Sequence, residues 1–130
     1  MSSALASHHG GCHCGAVTFS VQAPVCITAQ LCNCSICVMS GFLHLIVPKA
    51  QFSLKTGEEQ LTSYQFNSKT ANHLFCKVCG VKSFYIPRSN PNGVSINVNC
   101  IKQATFEEII HEDFDGENWE ANVSSLTHLA

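Results

Sequence analysis

Three short groups hold seven of the nine cysteines: Cys12-His13-Cys14-Gly15, Cys32-Asn33-Cys34-Ser35-Ile36-Cys37 and Cys76-Lys77-Val78-Cys79-Gly80. Nine Cys in 130 residues call for a coordinative or covalent explanation. An odd number of thiols packed at two- and three-residue intervals suits disulfides poorly, because bridged Cα atoms need a defined separation. Met1 to Gly11 has no basic residue ahead of an apolar core, so no secretion signal is read there, and no stretch approaches the ~20 apolar residues that span a bilayer. The sequence therefore points to a cytoplasmic or nuclear protein that is not secreted and has no membrane segment. In a reducing compartment such thiols persist as metal ligands, with zinc the leading ion.

Two of the groups end in a glycine, Gly15 and Gly80. A knuckle of two thiolates turns tightly with backbone N–H groups aimed at sulfur, and glycine supplies the positive φ. Cys12, Cys14, Cys76 and Cys79 then make the closed tetrahedral set of a structural zinc. Joining Cys14 to Cys76 closes a loop of about 62 residues at roughly 4 kcal/mol, well below the ~10–16 kcal/mol that structural zinc returns.

Cys32, Cys34 and Cys37 remain, three thiolates with no fourth partner close in sequence, which is the pattern of a second zinc with an open position. An external thiol entering that position would be held as its thiolate, the nucleophilic form. Three anionic ligands weaken the Lewis acid, so sulfur chemistry is favoured over hydrolysis. The other reading is a second structural zinc with Cys26, Cys100, His13 or His44 as fourth ligand. Cys26 and Cys100 read primarily as small buried hydrophobes, more firmly for Cys26 than for Cys100. His13 should face away from the metal. His44, His73, His111 and His128 have no partner spacing and read as surface or satisfied core residues, and Trp119 as a packing anchor. Arg88 sits either in a plain surface turn or where its fork matches a substrate carboxylate.

The elements that must position these residues are short. Hydrophobic residues make up 45% and charged residues 12%, far below the ~25% charge of an average chain, so disorder by charge excess is excluded. The expected organisation is a flexible tail over residues 1–9, including a solvated His8-His9, and one zinc-binding domain over 10–130. β-rich runs recur about every ten residues: Ala16–Gln22, Val25–Leu31, Phe42–Val47, Gln51–Leu54, Thr62–Phe66, Asn72–Phe75, Val81–Ile86 and Gly93–Asn99. Such spacing predicts a mainly β fold of antiparallel sheets. The alternation in Val17–Val21 and Val94–Val98 marks strands with one apolar and one polar face. Lys55-Thr56-Gly57 and Pro87 to Gly93 read as turns. One helical turn after Cys34 should close on Gly41; a strand is expected within 106–114 and a short helix over Asn118–Leu126. A formal charge of −2 with Arg88 the single arginine argues against direct nucleic-acid binding, which needs a basic stripe.

Gly-Gly-Cys-His-Cys-Gly-Ala-Val at 10–17, Cys-Asn-Cys-Ser-Ile-Cys at 32–37 and Phe-Cys-Lys-Val-Cys-Gly-Val at 75–81 resemble the glutathione-dependent formaldehyde-activating enzyme family. The closer likeness is to the zinc domain of centromere protein V, through Leu45-Ile46-Val47-Pro48, Tyr64-Gln65-Phe66-Asn67, Ser83-Phe84-Tyr85 and Pro87-Arg88-Ser89-Asn90-Pro91, over roughly residues 10–120. The resemblance implies a β-tent fold of stacked antiparallel sheets. It implies a structural zinc on Cys12, Cys14, Cys76 and Cys79 and a catalytic zinc on Cys32, Cys34 and Cys37. The implied reaction joins glutathione and formaldehyde into S-(hydroxymethyl)glutathione, classed as a carbon–sulfur lyase, chiefly by proximity and without a covalent enzyme intermediate. Many members carry a basic residue directly after the third Cys of the second motif; here Val38 and Met39 follow, leaving Arg88 or Lys49 as replacements. The alternative implied by centromere protein V is a non-catalytic zinc module in chromosome or cytoskeletal organisation. No particular protein partner is indicated.

Overall fold

A computed structural model describes residues 4–65, 71–102 and 105–129. The strands are β1 (Ala6–Gly11), β2 (Thr18–Ala23), β3 (Cys26–Cys32), β4 (Leu43–Pro48), β5 (Phe52–Thr56), β6 (Leu61–Tyr64), β7 (His73–Cys76), β8 (Phe84–Tyr85), β9 (Gly93–Asn97) and β10 (Glu108–Phe114). Two short helices, α1 (Ser35–Ser40) and α2 (Trp119–Asn122), lie among them. The strands form a sheet of order β1-β2-β5, a five-stranded sheet β10-β3-β4-β9-β8 and the hairpin β6-β7. This is the expected mainly β architecture, with one departure: β10 runs parallel to β3. Phe66 and Asn67 lie outside the described residues. Among the described residues, no helix is long and apolar enough to cross a membrane.

The two larger sheets pack through the inward positions of their strands. Phe19 and Val21 of β2 meet Ile27 and Ala29 of β3, Leu43, Leu45 and Val47 of β4, and Val94 and Ile96 of β9 in one cluster. Phe84 stands edge-on to Phe19 at 6.1 Å and tilts against Phe52 at 4.7 Å. The period of two sends the alternate residues to the opposite face. There Ile46, Phe114 and Leu126 form a second cluster, packed against by Trp119 and Cys32. The five-stranded sheet is therefore covered on both sides. The polar positions of β9, read as solvent-facing, are buried: Ser95 is 0% and Asn97 5% exposed.

The expected tail is in part a strand. Ala6–Gly11 pairs antiparallel with β2, His8 opposite Val21. His8, read as solvated, is 0% exposed. It donates from Nε2 to the Ala23 carbonyl at 2.9 Å, shares a 2.8 Å hydrogen bond through Nδ1 with Thr105 Oγ1, and stacks on Phe106 at 4.2 Å. His9 points outward, as alternation requires. Lys55 and Thr56, read as turn residues, extend β5, and Thr56 Oγ1 lies 2.7 Å from Thr18 Oγ1. The run Val81–Ile86 contracts to Phe84–Tyr85 because its first residues serve other partners: the Val81 carbonyl accepts from Cys76 N–H and the Ser83 carbonyl from Asn97 N–H. The short helix expected after residue 118 is α2, flanked by 3-10 turns.

Replacing a buried, doubly bonded histidine strands its partners, so His8→Ala should lower the unfolding free energy by about 1–3 kcal/mol. His9→Ala should stay within about 0.5 kcal/mol of the parent. Urea unfolding of the two variants side by side checks both.

Candidate active site and metal centres

The four thiols of the first set converge as expected. Cys12 and Cys14 lie on the turn after β1, Cys76 ends β7, and Cys79 lies three residues on. Their sulfurs are all within 4.8 Å of one another, with Cys12–Cys14 at 3.6 Å and Cys14–Cys76 at 3.7 Å. A tetrahedral ion with metal–sulfur bonds of about 2.3 Å sets its sulfurs about 3.8 Å apart, so this donor set fits one. The turns wrap the sulfurs in backbone N–H groups: Val17 N–H donates to Cys12 Sγ at 3.3 Å and Val78 N–H to Cys76 Sγ at 3.4 Å. Gly15 (φ 79°) and Gly80 (φ 77°) supply the left-handed residues. Backbone N–H groups of Cys14 and Val81 push the Cys79 thiol down to about 6, which favours the ligating form.

The second set lies at the edge of the other sheet face. Cys32 ends β3, Cys34 caps α1 and Cys37 is one turn on, so the i, i+3 relation sets the last two side by side. The three sulfurs are within 4.8 Å of one another, and Cys34 and Cys37 are 2.9 Å apart. Hydrogen bonding with Cys32 and Cys37 pushes Cys34 down to about 2, and hydrogen bonding with Cys32 and Cys34, with burial, drives Cys37 well above the ordinary thiol range. Helix α1 closes on left-handed Gly41, as expected. Gly116 covers the set: a Cβ there would sit 2.3 Å from Cys32 Sγ. All nine cysteines are free thiols. These three soft donors could hold a metal ion once Cys34 and Cys37 part from 2.9 Å toward the tetrahedral spacing, with the protein supplying three ligands.

The proposed fourth ligands do not join these three among the described residues. Cys26 is exposed, contrary to the buried reading; it starts β3 on the face away from Ile27 and Ala29. Cys100 is half-buried beside the first set instead, where burial and then the charges of Cys12 and Cys79 push its thiol up to about 11. His13 and His111 are exposed, and the His128 side chain lies outside the described residues. His44 bonds to Cys37: its Nε2 is 3.2 Å from Sγ and its Nδ1 2.9 Å from Ser95 Oγ. Burial, then the Lys82 charge, pushes His44 down to about 3, so the ring is neutral. With Cys37 as thiolate, Nε2–H donates to sulfur and Nδ1 accepts from Ser95.

A cavity of about 710 Å³ opens over Cys32, Cys34 and Cys37, lined also by His44, His73, Tyr85, Arg88, Phe114 and Trp119. Alternation builds its floor: Gln30 is paired with His44, His44 with Asn97, Ile46 with Ser95 and Ser95 with Tyr85, and paired residues share a face. Of this polar face the sequence points only to His44, as a possible fourth ligand, and to the polar positions of β9, with no sign that they meet at the site. Its visible signal is the lone histidine in the apolar run Phe42–Val47 opposite the Ser and Asn of β9. Beneath it, Lys82 is 8% exposed, bonds His73 Nδ1 at 2.7 Å and sits 4.0 Å from the Tyr85 ring centre. Burial pushes Lys82 down to about 8, against the opposing pull of Cys37 and Cys34. Lys82 does not itself line the cavity, so its charge acts on the sulfur set from behind the floor. Lys49 lies on an exposed 3-10 turn and does not line the cavity. Arg88 does line it, with its guanidinium 3.6 Å from the Trp119 ring centre and 2.5 Å from Glu120 Oε1.

Because a Cβ at Gly116 would run into Cys32 Sγ, Gly116→Ala should displace that sulfur and weaken metal at the second set roughly 10–100-fold, as loss of outer support does. The first set should stay loaded. Metal per chain after mild chelation should fall from two toward one with an unchanged far-ultraviolet circular dichroism spectrum.

Over residues 7–119 the chain matches the glutathione-dependent formaldehyde-activating enzyme family. A structural-genomics crystal structure of a Rhodobacter sphaeroides protein is 32% identical, superposes with a TM-score of 0.68, and is matched over 80% of this chain and 99% of its own. The extent of the family match, which takes in both cysteine sets and the cavity floor, means that this chain belongs to the glutathione-dependent formaldehyde-activating enzyme family.

Proposed function

We propose that this protein is a zinc enzyme that condenses glutathione with formaldehyde to S-(hydroxymethyl)glutathione, and releases them in the carbon–sulfur lyase direction. The observation that carries the proposal is a set of three converging thiols facing a 710 Å³ cavity. A set that served only to hold the fold would be wrapped by its own turns, as Cys12, Cys14, Cys76 and Cys79 are; the reading of a purely structural module gains no such support. Zinc held by Cys32, Cys34 and Cys37 would supply a soft Lewis acid that keeps an incoming thiol deprotonated at neutral pH.

The protein's own groups then position and shield the reactants. Neutral His44, fixed by Ser95, holds Cys37 in place. Phe114, Trp119 and Leu126 wall off water from one side, and the buried Lys82 charge offsets the thiolates. Bringing thiol and aldehyde together supplies most of the rate gain, since the uncatalysed addition needs only an encounter in the right geometry. Arg88 is the candidate for a glutathione carboxylate. Its pair with Glu120 is at the rim, with side chains 35% and 81% exposed, so a substrate carboxylate displaces Glu120 at the small cost typical of surface pairs. The Trp119 ring keeps the guanidinium over the cavity during the exchange.

Adduct formation from glutathione and formaldehyde should exceed the spontaneous rate with zinc-loaded parent protein and return to it with Cys34→Ser; equality of parent and blank would sink the proposal. Arg88→Ala should raise KM for glutathione roughly tenfold, the worth of one charged hydrogen bond, with kcat little changed. Initial rates over a range of glutathione concentrations separate the two parameters.

A further inference from the structure

We infer that Arg88 and Glu120 together clamp a zwitterionic α-amino acid group, the γ-glutamyl end of glutathione, an assignment that rests on the glutathione chemistry proposed above. An ion pair stands at the mouth of a cavity with few charges of its own. Among the described residues that line the cavity, Arg88 is the one Lys, Arg, Asp or Glu. Its guanidinium stacks over Trp119 at 3.6 Å, and its Nη2 donates to Glu120 Oε1. The two partners come from distant parts of the chain, and a buried side chain ties those parts together. Asn90, 2% exposed, donates from Nδ2 to the carbonyls of Leu126 and Thr127 at 3.2 and 3.3 Å. Asn122 fastens α2 to the Asp115 carbonyl at 3.2 Å. Guanidinium and carboxylate are therefore set side by side on braced backbone, and the Glu120 side chain is 81% exposed, open to a ligand.

Both arms of glutathione can reach this rim from the sulfur set. Gly116 covers Cys32, and one 3-10 turn over Gly116–Asn118 leads to Trp119, about 6 Å along the turn at about 2 Å per residue. Charge decides between the arms. The glycine arm ends in a bare carboxylate, which takes Arg88 and leaves Glu120 beside it without that cation, so one pair replaces another. The γ-glutamyl arm carries a carboxylate and an ammonium on one carbon. Its carboxylate takes the guanidinium, and its ammonium, all donor and no acceptor, takes Glu120, so one pair becomes two. Glu120 is then a specificity residue for an α-amino acid head group and not only the group that substrate displaces from Arg88.

Glu120→Gln keeps the size of the side chain and removes its charge at a position exposed enough to leave the fold intact. Zinc-loaded parent and variant can be titrated by calorimetry with glutathione and with glutaryl-cysteinyl-glycine, which keeps both carboxylates and lacks the ammonium, beside rates of adduct formation. The variant should bind glutathione about two- to fivefold more weakly than the parent, the range of an exposed ion pair, and should bind the deamino analogue no more weakly than the parent does. Parental affinity for glutathione in the variant would overturn the assignment. Tighter binding would overturn it too, by making Glu120 a mere competitor for Arg88, and so would an equal loss for both ligands. The expected binding pattern beside a parent that leaves the spontaneous rate unchanged removes the proposed catalysis and keeps the clamp. An accelerating parent beside a variant of parental affinity removes the clamp alone, and a parent that binds no glutathione removes both.

Discussion

The fold depends on sulfur atoms far apart in sequence being held closer than separate thiols would choose to sit. Cys14 and Cys76 are separated by 62 residues and their sulfurs by 3.7 Å. The first belongs to the turn that joins β1 to β2, the second to the end of the hairpin β6-β7. Apart from the sheets' own apolar packing, this is where the N-terminal sheet and the hairpin are tied together. Four thiolates at that distance repel one another, so a divalent cation among them would stabilise the arrangement. The N–H groups of Val17 and Val78 aimed at sulfur reduce the repulsion but do not remove it.

The second constraint is that the five-stranded sheet is buried on both faces. On one face the solution is ordinary: branched and aromatic side chains from β2, β3, β4 and β9 fill the space. On the other the strands bury Gln30, His44, Ser95 and Asn97, and each needs a partner. His44 is bonded to Ser95 and Cys37. Asn97 accepts from Leu43 and Asn99 N–H groups and donates to the Lys82 carbonyl. The network fixes the wall of the cavity and the orientation of Cys37 together, so the same hydrogen bonds that pay for burial also aim the sulfur set.

What the sequence made legible follows from how local each signal is. The thiol sets were readable because their spacing and the glycines after Cys14 and Cys79 are local, and so were most strands, whose period of two is local as well. The polar face of β9 was misread because alternation reports two faces but not what covers the second; α2 and β10 come from the last quarter of the chain. The strand Ala6–Gly11 was missed because Ser7, His8, His9 and the two glycines carry little β signal, and its stability comes from β2 and from Thr105 and Phe106, about a hundred residues away. Cys26 was misplaced for a similar reason. Burial of free cysteine is a statistical tendency, and Cys26 shares the strand face of Thr28, with Ile27 and Ala29 taking the core side.

Charge accounts for the difference between the two sulfur sets. The four-thiolate set with a divalent ion is left with two excess negative charges, delocalised into the N–H groups that surround it, and it lies near the surface where water screens the rest. The three-thiolate set with a divalent ion is left with one. It stands over a largely apolar cavity, where an unbalanced charge is costly. Lys82 is the cation placed to balance it, held by His73 and the faces of Tyr85 and Phe42. A charged histidine at position 44 would overcompensate, and burial keeps that ring neutral. A divalent ion in the second set would therefore reach near-neutrality without a fourth anionic ligand from the protein, in keeping with the thiol substrate proposed above.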